Sequence, residues 1–270
     1  MRHVDANGIR FAYLEEGEGP LVLLFHGFPD TAETWSDVLP RIAAKGYRAV
    51  APNLRGYHPT EVPMRDPDGR TIGEDVLALI DALNDGEPAI VIAHDWGASA
   101  AYSAAALGPE KISKLFIVAI PHPLTIKPTA GKVWGVRHFF TYKLPGAAKR
   151  FAKNDFAALL EIYERWSPAW TPDPSEFDAI RECFSHEGSL HAAFGYYRQL
   201  PLTPPKYLKK KLPMPTVCFA GTEDPVVTPA DYHAAKRMFT GEYTVEEMPG
   251  GHFLHREHPE RFAELLLKHL

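Results

Sequence analysis

The 270-residue chain has only two cysteines, Cys183 and Cys218, too few for a disulfide framework or a thiolate zinc site. Positive charge is not in surplus: 29 Lys and Arg stand against 34 Asp and Glu, a net −5. Nothing is left over to hold a phosphate backbone, which excludes nucleic acid as an expected partner. Long apolar runs are missing too. Leu115 to Ile120 is among the longest, far short of the roughly 20 residues that cross a bilayer. The first twenty residues carry Asp5, Glu15, Glu16 and Glu18 and no apolar signal core. The five methionines are scattered, and there is no repeat or low-complexity tract. These absences predict a cytoplasmic globular protein without a membrane partner. The two cysteines are expected to act as small buried hydrophobes.

What is present is a rhythm of short apolar runs. Residues 2–16 alternate loosely around Asn7-Gly8, a hairpin signal. Leu21–Phe25, Tyr47–Ala51, Ala89–Ala93, Ile112–Ile120 and Thr216–Ala220 are continuous apolar segments, as expected of strands buried on both faces. Helical patterns lie between them. Ile72, Val76, Leu79, Ile80 and Leu83 repeat at 3.6 residues behind a Thr71/Glu74 capping box. Residues 96–107 are alanine-rich, Thr228-Pro229 opens another helix, and Phe262, Leu265, Leu266 and Leu270 stripe the last. Strands alternating with helices predict a mostly parallel central sheet covered on both faces.

The alternation stops between Pro121 and Pro205. Residues 123–200 hold 14 of the 31 aromatics and helical fragments such as Phe156–Trp166, separated by Pro168, Pro172 and Pro174. This predicts a helical insertion with a small core of its own, or a lid touching a ligand above the carboxyl ends of the strands. The expected division is core 1–120, lid 121–212, core 213–270.

In Ala89–Ala98 a buried strand runs directly into a helix with Asp95 at the junction. Such a sharp turn strains its central residue and needs small neighbours two positions away, here Ala93 and Gly97. The plainer reading makes Asp95 a helix N-cap. Three more strand ends carry reactive groups: His26-Gly27-Phe28-Pro29, Asp224 in Gly221-Thr222-Glu223-Asp224, and His252 in Gly250-Gly251-His252-Phe253.

Together these resemble the α/β-hydrolase fold over the whole chain, and the epoxide hydrolases within it. The resemblance rests on His26-Gly27-Phe28-Pro29, Pro52-Asn53-Leu54-Arg55-Gly56-Tyr57, the elbow His94-Asp95-Trp96-Gly97, and Gly251-His252-Phe253. It implies an α/β-hydrolase core with an inserted helical lid and no metal or cofactor. Asp95 is the implied nucleophile, His252 the base and Asp224 its orienting acid, with the Phe28 and Trp96 amides as oxyanion hole. Gly195-Tyr196-Tyr197-Arg198 is similar to the segment bearing a ring-opening tyrosine, here Tyr197. The family's other lid tyrosine aligns, through Tyr142-Lys143-Leu144-Pro145-Gly146, with His138, a departure from most relatives. Phe139 and Trp134 are expected in the pocket. His94 is expected to be structural, and His122, His255 and His258 structural or superficial. Lys206–Leu212 reads as a solvated connector.

A carboxylate nucleophile attacks carbonyls poorly but displaces leaving groups from saturated carbon, which favours epoxides or haloalkanes. An epoxide alkoxide needs a proton donor, which Tyr197 and His138 supply, whereas the Asn that many haloalkane dehalogenases carry in place of Phe28 is missing. The Arg residues that mark fluoroacetate dehalogenases are Trp96 and Ser99 here. The expected activity is therefore hydrolysis of a small apolar epoxide to a vicinal diol. Haloalkane dehalogenation is the alternative, and a non-catalytic ligand receptor on the same fold is a third. Water is the co-substrate, and a homodimer is the one protein assembly left open. A cationic His138, with an ordinary pKa of about 6.5, would make activity fall at alkaline pH, and His138→Tyr would restore it.

Overall fold

The computed structural model describes all of residues 1–270. Its eight strands are β1 (Arg2–Ala6), β2 (Ile9–Glu16), β3 (Leu21–Phe25), β4 (Arg48–Pro52), β5 (Ala89–His94), β6 (Ile112–Val118), β7 (Thr216–Gly221) and β8 (Tyr243–Met248). They form one sheet in the order β1-β2-β4-β3-β5-β6-β7-β8. Only the β1–β2 and β2–β4 pairs are antiparallel. The β1–β2 hairpin turns at Asn7 (φ 43°) and Gly8 (φ 75°), the two positive φ angles that an Asn-Gly turn supplies. Asn7 also donates to Asp75 Oδ1 at 2.6 Å, and Arg55 pairs with the same carboxylate, tying the hairpin to the helix behind it.

All five side chains of β3 are buried, and they alternate between two apolar clusters. Leu21, Leu23 and Phe25 enter a 57-residue cluster; Val22 and Leu24 enter a 20-residue cluster on the opposite face. That period-two division explains the continuous apolar runs in the sequence. Each such side chain contributes about 1.5–3 kcal/mol on burial. The smaller cluster is covered by α1 (Leu39–Ala43) and the last helix, and the larger by α2 (Gly69–Leu83) and α3 (Trp96–Leu107).

No strand occurs between Val118 and Thr216. The chain there runs through α4 (Ala130–Gly135), α5 (His138–Thr141), α6 (Ala147–Phe151), α7 (Lys153–Phe156), α8 (Ala158–Trp166), α9 (Asp178–Ser185) and α10 (Ser189–Arg198). The expected helix from Phe156 starts at Ala158, because Asn154, Asp155 and Phe156 all adopt positive φ and break it. The insertion has no separate core: Phe151, Tyr163, Phe184 and Phe194 belong to the same large cluster as β3. The return through β7 leads to α11 (Pro229–Ala235), β8, α12 (Leu254–Glu257) and α13 (Pro259–His269), and the Thr228/Asp231 capping box opens α11. No helix is long and apolar enough to cross a membrane.

The start of α2 differs from the sequence expectation. The cap is Asp68, whose carboxylate accepts from the Thr71 N–H at 2.8 Å, while Glu74 pairs outward with Arg70. A carboxylate N-cap is as good as a Thr, and it comes one turn earlier. Asp68→Ala should therefore lower the unfolding free energy by about 1 kcal/mol in urea titration, and Glu74→Ala by no more than a few tenths of that. The reverse ranking would restore the Thr71/Glu74 box.

Candidate active site

The candidate residues meet above the carboxyl ends of β3, β5, β7 and β8. Asp95 occupies the hinge between β5 and α3 with φ 48° and ψ −113°, a conformation that costs a non-glycine residue about 1–3 kcal/mol. It sits at the cap position of α3 yet makes no side-chain cap hydrogen bond, so the N-cap reading fails. The turn closes because its neighbours are bare. A Cβ on Gly97 would lie 2.5 Å from the Phe25 carbonyl oxygen, and one on Gly27 would lie 2.3 Å from the Asp95 Cβ. Freed from capping, the carboxylate accepts from the Phe28 N–H through Oδ1 at 2.8 Å. Trp96 is the first residue of α3, so its N–H has no intrahelical acceptor.

His252 faces both carboxylates. Its Nδ1 donates to Asp224 Oδ2 at 2.9 Å, and its Nε2 lies 3.5 Å from Asp95 Oδ2. Asp224 is itself fixed by the Val226 and Val227 amides, at 2.7 and 3.2 Å. Burial alone would push the imidazole down, but the charges of Asp224 and then Asp95 outweigh it and lift the pKa to about 10. Burial would likewise raise Asp95, yet the His252 partner holds its carboxyl below the usual value. The resting pair is thus an imidazolium between two carboxylates.

The loop bearing His252 is held by residues that no motif announced. The His252 N–H donates to the Trp166 carbonyl at 2.9 Å, the Phe253 N–H to Ser167 Oγ at 3.1 Å, and Ser167 in turn to Glu257 at 2.6 Å. His94 donates through Nε2 to the His252 carbonyl at 3.0 Å, the structural role expected of it. Asp30, His94 and His255 lie with their ligand-type atoms within 4.8 Å of one another, all buried. The sequence separates them widely and gave no sign of this grouping. Asp30 already accepts from Tyr163 and Arg256, both at 2.5 Å, so its charge is compensated.

The helical insertion supplies the opposite wall. The Tyr197 ring lies 5.6 Å from Phe28, 5.0 Å from Trp96 and 5.3 Å from His138. Burial, then the Asp95 charge, raises the Tyr197 phenol well above 10, so it keeps its proton. His138 is 3% exposed and neither ring nitrogen has a hydrogen-bond partner. Phe139 reaches the same group, 5.2 Å from Tyr197. Tyr142 joins them as well, 5.2 Å from Tyr197 and stacked on Phe194 at 4.1 Å. Two expectations are corrected. Trp134 is 68% exposed and lies beneath the Arg137 guanidinium at 4.5 Å, outside the pocket. His138 is not cationic: burial, then Arg165, pushes its pKa down to about 3, so it titrates well below neutrality and cannot set an alkaline limit.

Comparison with known proteins identifies the fold family. Residues 20–259 match the family model described as alpha/beta hydrolase fold. The chain belongs to the α/β-hydrolase family. It is 29% identical to the AB hydrolase superfamily protein YfhM of Bacillus subtilis, across 99% of this chain and 96% of that one. It is 26% identical to epoxide hydrolase A of Mycobacterium tuberculosis, across 100% and 96%. The crystal structure of an epoxide hydrolase from Vigna radiata superposes with a TM-score of 0.82 at 27% identity, covering 99% and 96% of the two chains.

Removing the Asp95 charge should lower the His252 pKa, because one of its two supporting carboxylates is lost. NMR titration of the imidazole should read about 10 in the unaltered protein and distinctly less in Asp95→Asn; equal values would show that the two side chains do not interact. Because this pKa is raised on folding, the stability His252 contributes is full below about 6.5 and is lost as pH rises through about 10. For His138→Tyr the expected alkaline limb of any pH–rate profile is unchanged.

Proposed function

We propose that the protein hydrolyses epoxides to vicinal diols through an alkyl ester on Asp95. The observation that carries this reading is the Asp95 carboxylate, one oxygen on the Phe28 amide and the other 3.5 Å from His252 Nε2. Phe28 holds Oδ1, so Oδ2 is the oxygen left to attack a ring carbon from behind. The C–O bond of the epoxide breaks as the Asp95–carbon bond forms, and the alkoxide takes a proton from Tyr197, with neutral His138 donating a second hydrogen bond. Such assistance is worth ~10²–10⁴-fold. Residues 121–212 act as the lid that carries these donors. The named relatives support the class of substrate.

Esterification removes the Asp95 charge. One of the two influences lifting the His252 pKa disappears, so the imidazolium that the free protein favours gives up its proton. The Tyr197 phenolate left by ring opening takes one up, and His252 becomes a base only after the first step. Water then attacks the ester carbonyl carbon and gives its proton to His252 Nε2, while Asp224 stabilises the imidazolium. The new oxyanion, formed at Oδ1, is held by the Phe28 and Trp96 amides. Collapse expels the diol oxygen, which takes the proton back from His252. Asp95, now a carboxylic acid carrying one oxygen from water, then passes its own proton to His252 and restores the resting carboxylate and imidazolium. No step calls on a cofactor.

Dehalogenation by the same aspartate is the second reading, since Trp96 stands at the site and its indole could donate to a halide. Epichlorohydrin separates the two. In His252→Gln, mass spectrometry of the Asp95 peptide should show an adduct that retains chlorine; an adduct that has lost it favours dehalogenation, and no adduct favours a receptor. Tyr197→Phe should lower kcat for styrene oxide by ~10²–10⁴-fold; an unchanged rate removes Tyr197 from the mechanism.

A further inference from the structure

A cavity of about 320 Å³ opens in the insertion between α5, α6 and α8. Its inner wall includes His138 and Tyr142, the side chains that stand against Tyr197 from the other side. Its rim carries three arginines, Arg137, Arg150 and Arg165, and a single acid, Glu161. None of the three makes an ion pair; elsewhere Arg48, Arg55, Arg181, Arg198 and Arg256 do, while Arg10, Arg41, Arg65 and Arg237 do not. Arg150 donates to the Pro145 carbonyl at 2.8 Å and Arg137 to that of Trp134 at 2.9 Å. The Arg165 side chain has no hydrogen-bond partner at all, although it is half-buried. Burial and the neighbouring Arg137 press its pKa below the ordinary value, the mark of uncompensated like charge. In a chain of net charge −5, three guanidinium groups without ion pairs gather at the lining of this one cavity.

Guanidinium groups that are partly desolvated and unpaired bind oxyanions by charge-assisted, often bidentate hydrogen bonds. The apolar wall beside them, Phe151 and Ile162 included, suits a hydrocarbon or aryl spacer. We propose that this cavity is an anion subsite, and that the preferred substrates are epoxides bearing a carboxylate, or a comparable oxyanion, a short apolar spacer away from the ring. The inference rests on the epoxide-hydrolase reading and adds the substrate class to it. Weakly screened attraction at such a mouth also raises the encounter rate with anions at low salt.

The test compares styrene oxide with 4-(oxiran-2-yl)benzoate, which differ only by the carboxylate. The ratio of their kcat/KM values, carboxylate over neutral, should be at least tenfold at low ionic strength and shrink as salt is added. It should fall about tenfold in Arg165→Gln/Arg150→Gln and stay put in Arg261→Gln, a solvent-facing control. Turnover of styrene oxide with a ratio near one, or a ratio that the double variant leaves intact, overturns the proposal. Should neither epoxide be hydrolysed, the proposed activity fails and the subsite is judged by 4-ethylbenzoate alone. Salt-sensitive thermal stabilisation by that anion, lost in the double variant, upholds the subsite; no stabilisation overturns it.

Discussion

Everything at this site depends on holding one carboxylate out of the hydrogen bond it would most easily make. An aspartate at the start of a helix ordinarily folds back to cap it. Asp95 does not, because its backbone is twisted to φ 48° and its side chain is aimed across the sheet edge at Phe28 and His252. The strain of about 1–3 kcal/mol is offset by the surroundings. β5 is locked between β3 and β6, α3 is buried along most of its length, and Gly97 N–H bonds the His26 carbonyl at 3.0 Å. Glycine at 27 and 97 is thus a steric condition on the whole site, because a methyl group at either would collide with backbone or with Asp95 itself.

Charge follows from that placement. Two carboxylates within reach of one imidazole would repel each other if the imidazole were neutral, so the free protein favours the cation between them. Asp224 keeps its place whatever happens to Asp95, since its other oxygen is satisfied by two backbone amides. Asp95 has a single amide and one partly open face, its side chain 13% exposed among fully buried neighbours. The two acids are therefore unequal by hydrogen bonding, not by residue type. One is anchored as a permanent partner of His252, and the other keeps a carboxylate oxygen free of backbone donors.

Much of this was legible in the sequence. The hairpin at Asn7-Gly8, the apolar strand runs and the elbow are local patterns in which a few neighbouring residues determine the backbone, and each appears as read. The division of side chains between the two faces follows from the same period of two. What escaped reading depends on contacts between segments distant in the chain. Ser167 and Glu257 pin the His252 loop, and Asp30, His94 and His255 converge behind it, with no spacing rule to announce either. The cap of α2 was misplaced because Asp68 and Thr71 are both competent caps and only tertiary position chooses between them. Trp134 and Phe139 look alike in sequence, yet one lies on the surface and the other beside Tyr197, because the short helices of the insertion have no long periodic stripe to fix which face is buried.

The neutral state of His138 shows how the two halves of the site differ in kind. The sheet edge supplies groups whose charges compensate one another: Asp224 with His252, and Asp30 with Arg256. The helical insertion supplies aromatic rings and, behind them, cations without ion-pair partners. A histidine in that second setting is denied a carboxylate, and burial beside Arg165 leaves it uncharged. Its ring then resembles a tyrosine in one property, that of a hydrogen bond donor that carries no net charge. Exchange between the two residue types at this position leaves the electrostatics of Asp95 and His252 intact, because neither adds a charge to them. The insertion can thus change its polar side chains and its outer rim without disturbing the strand ends that hold Asp95 and His252.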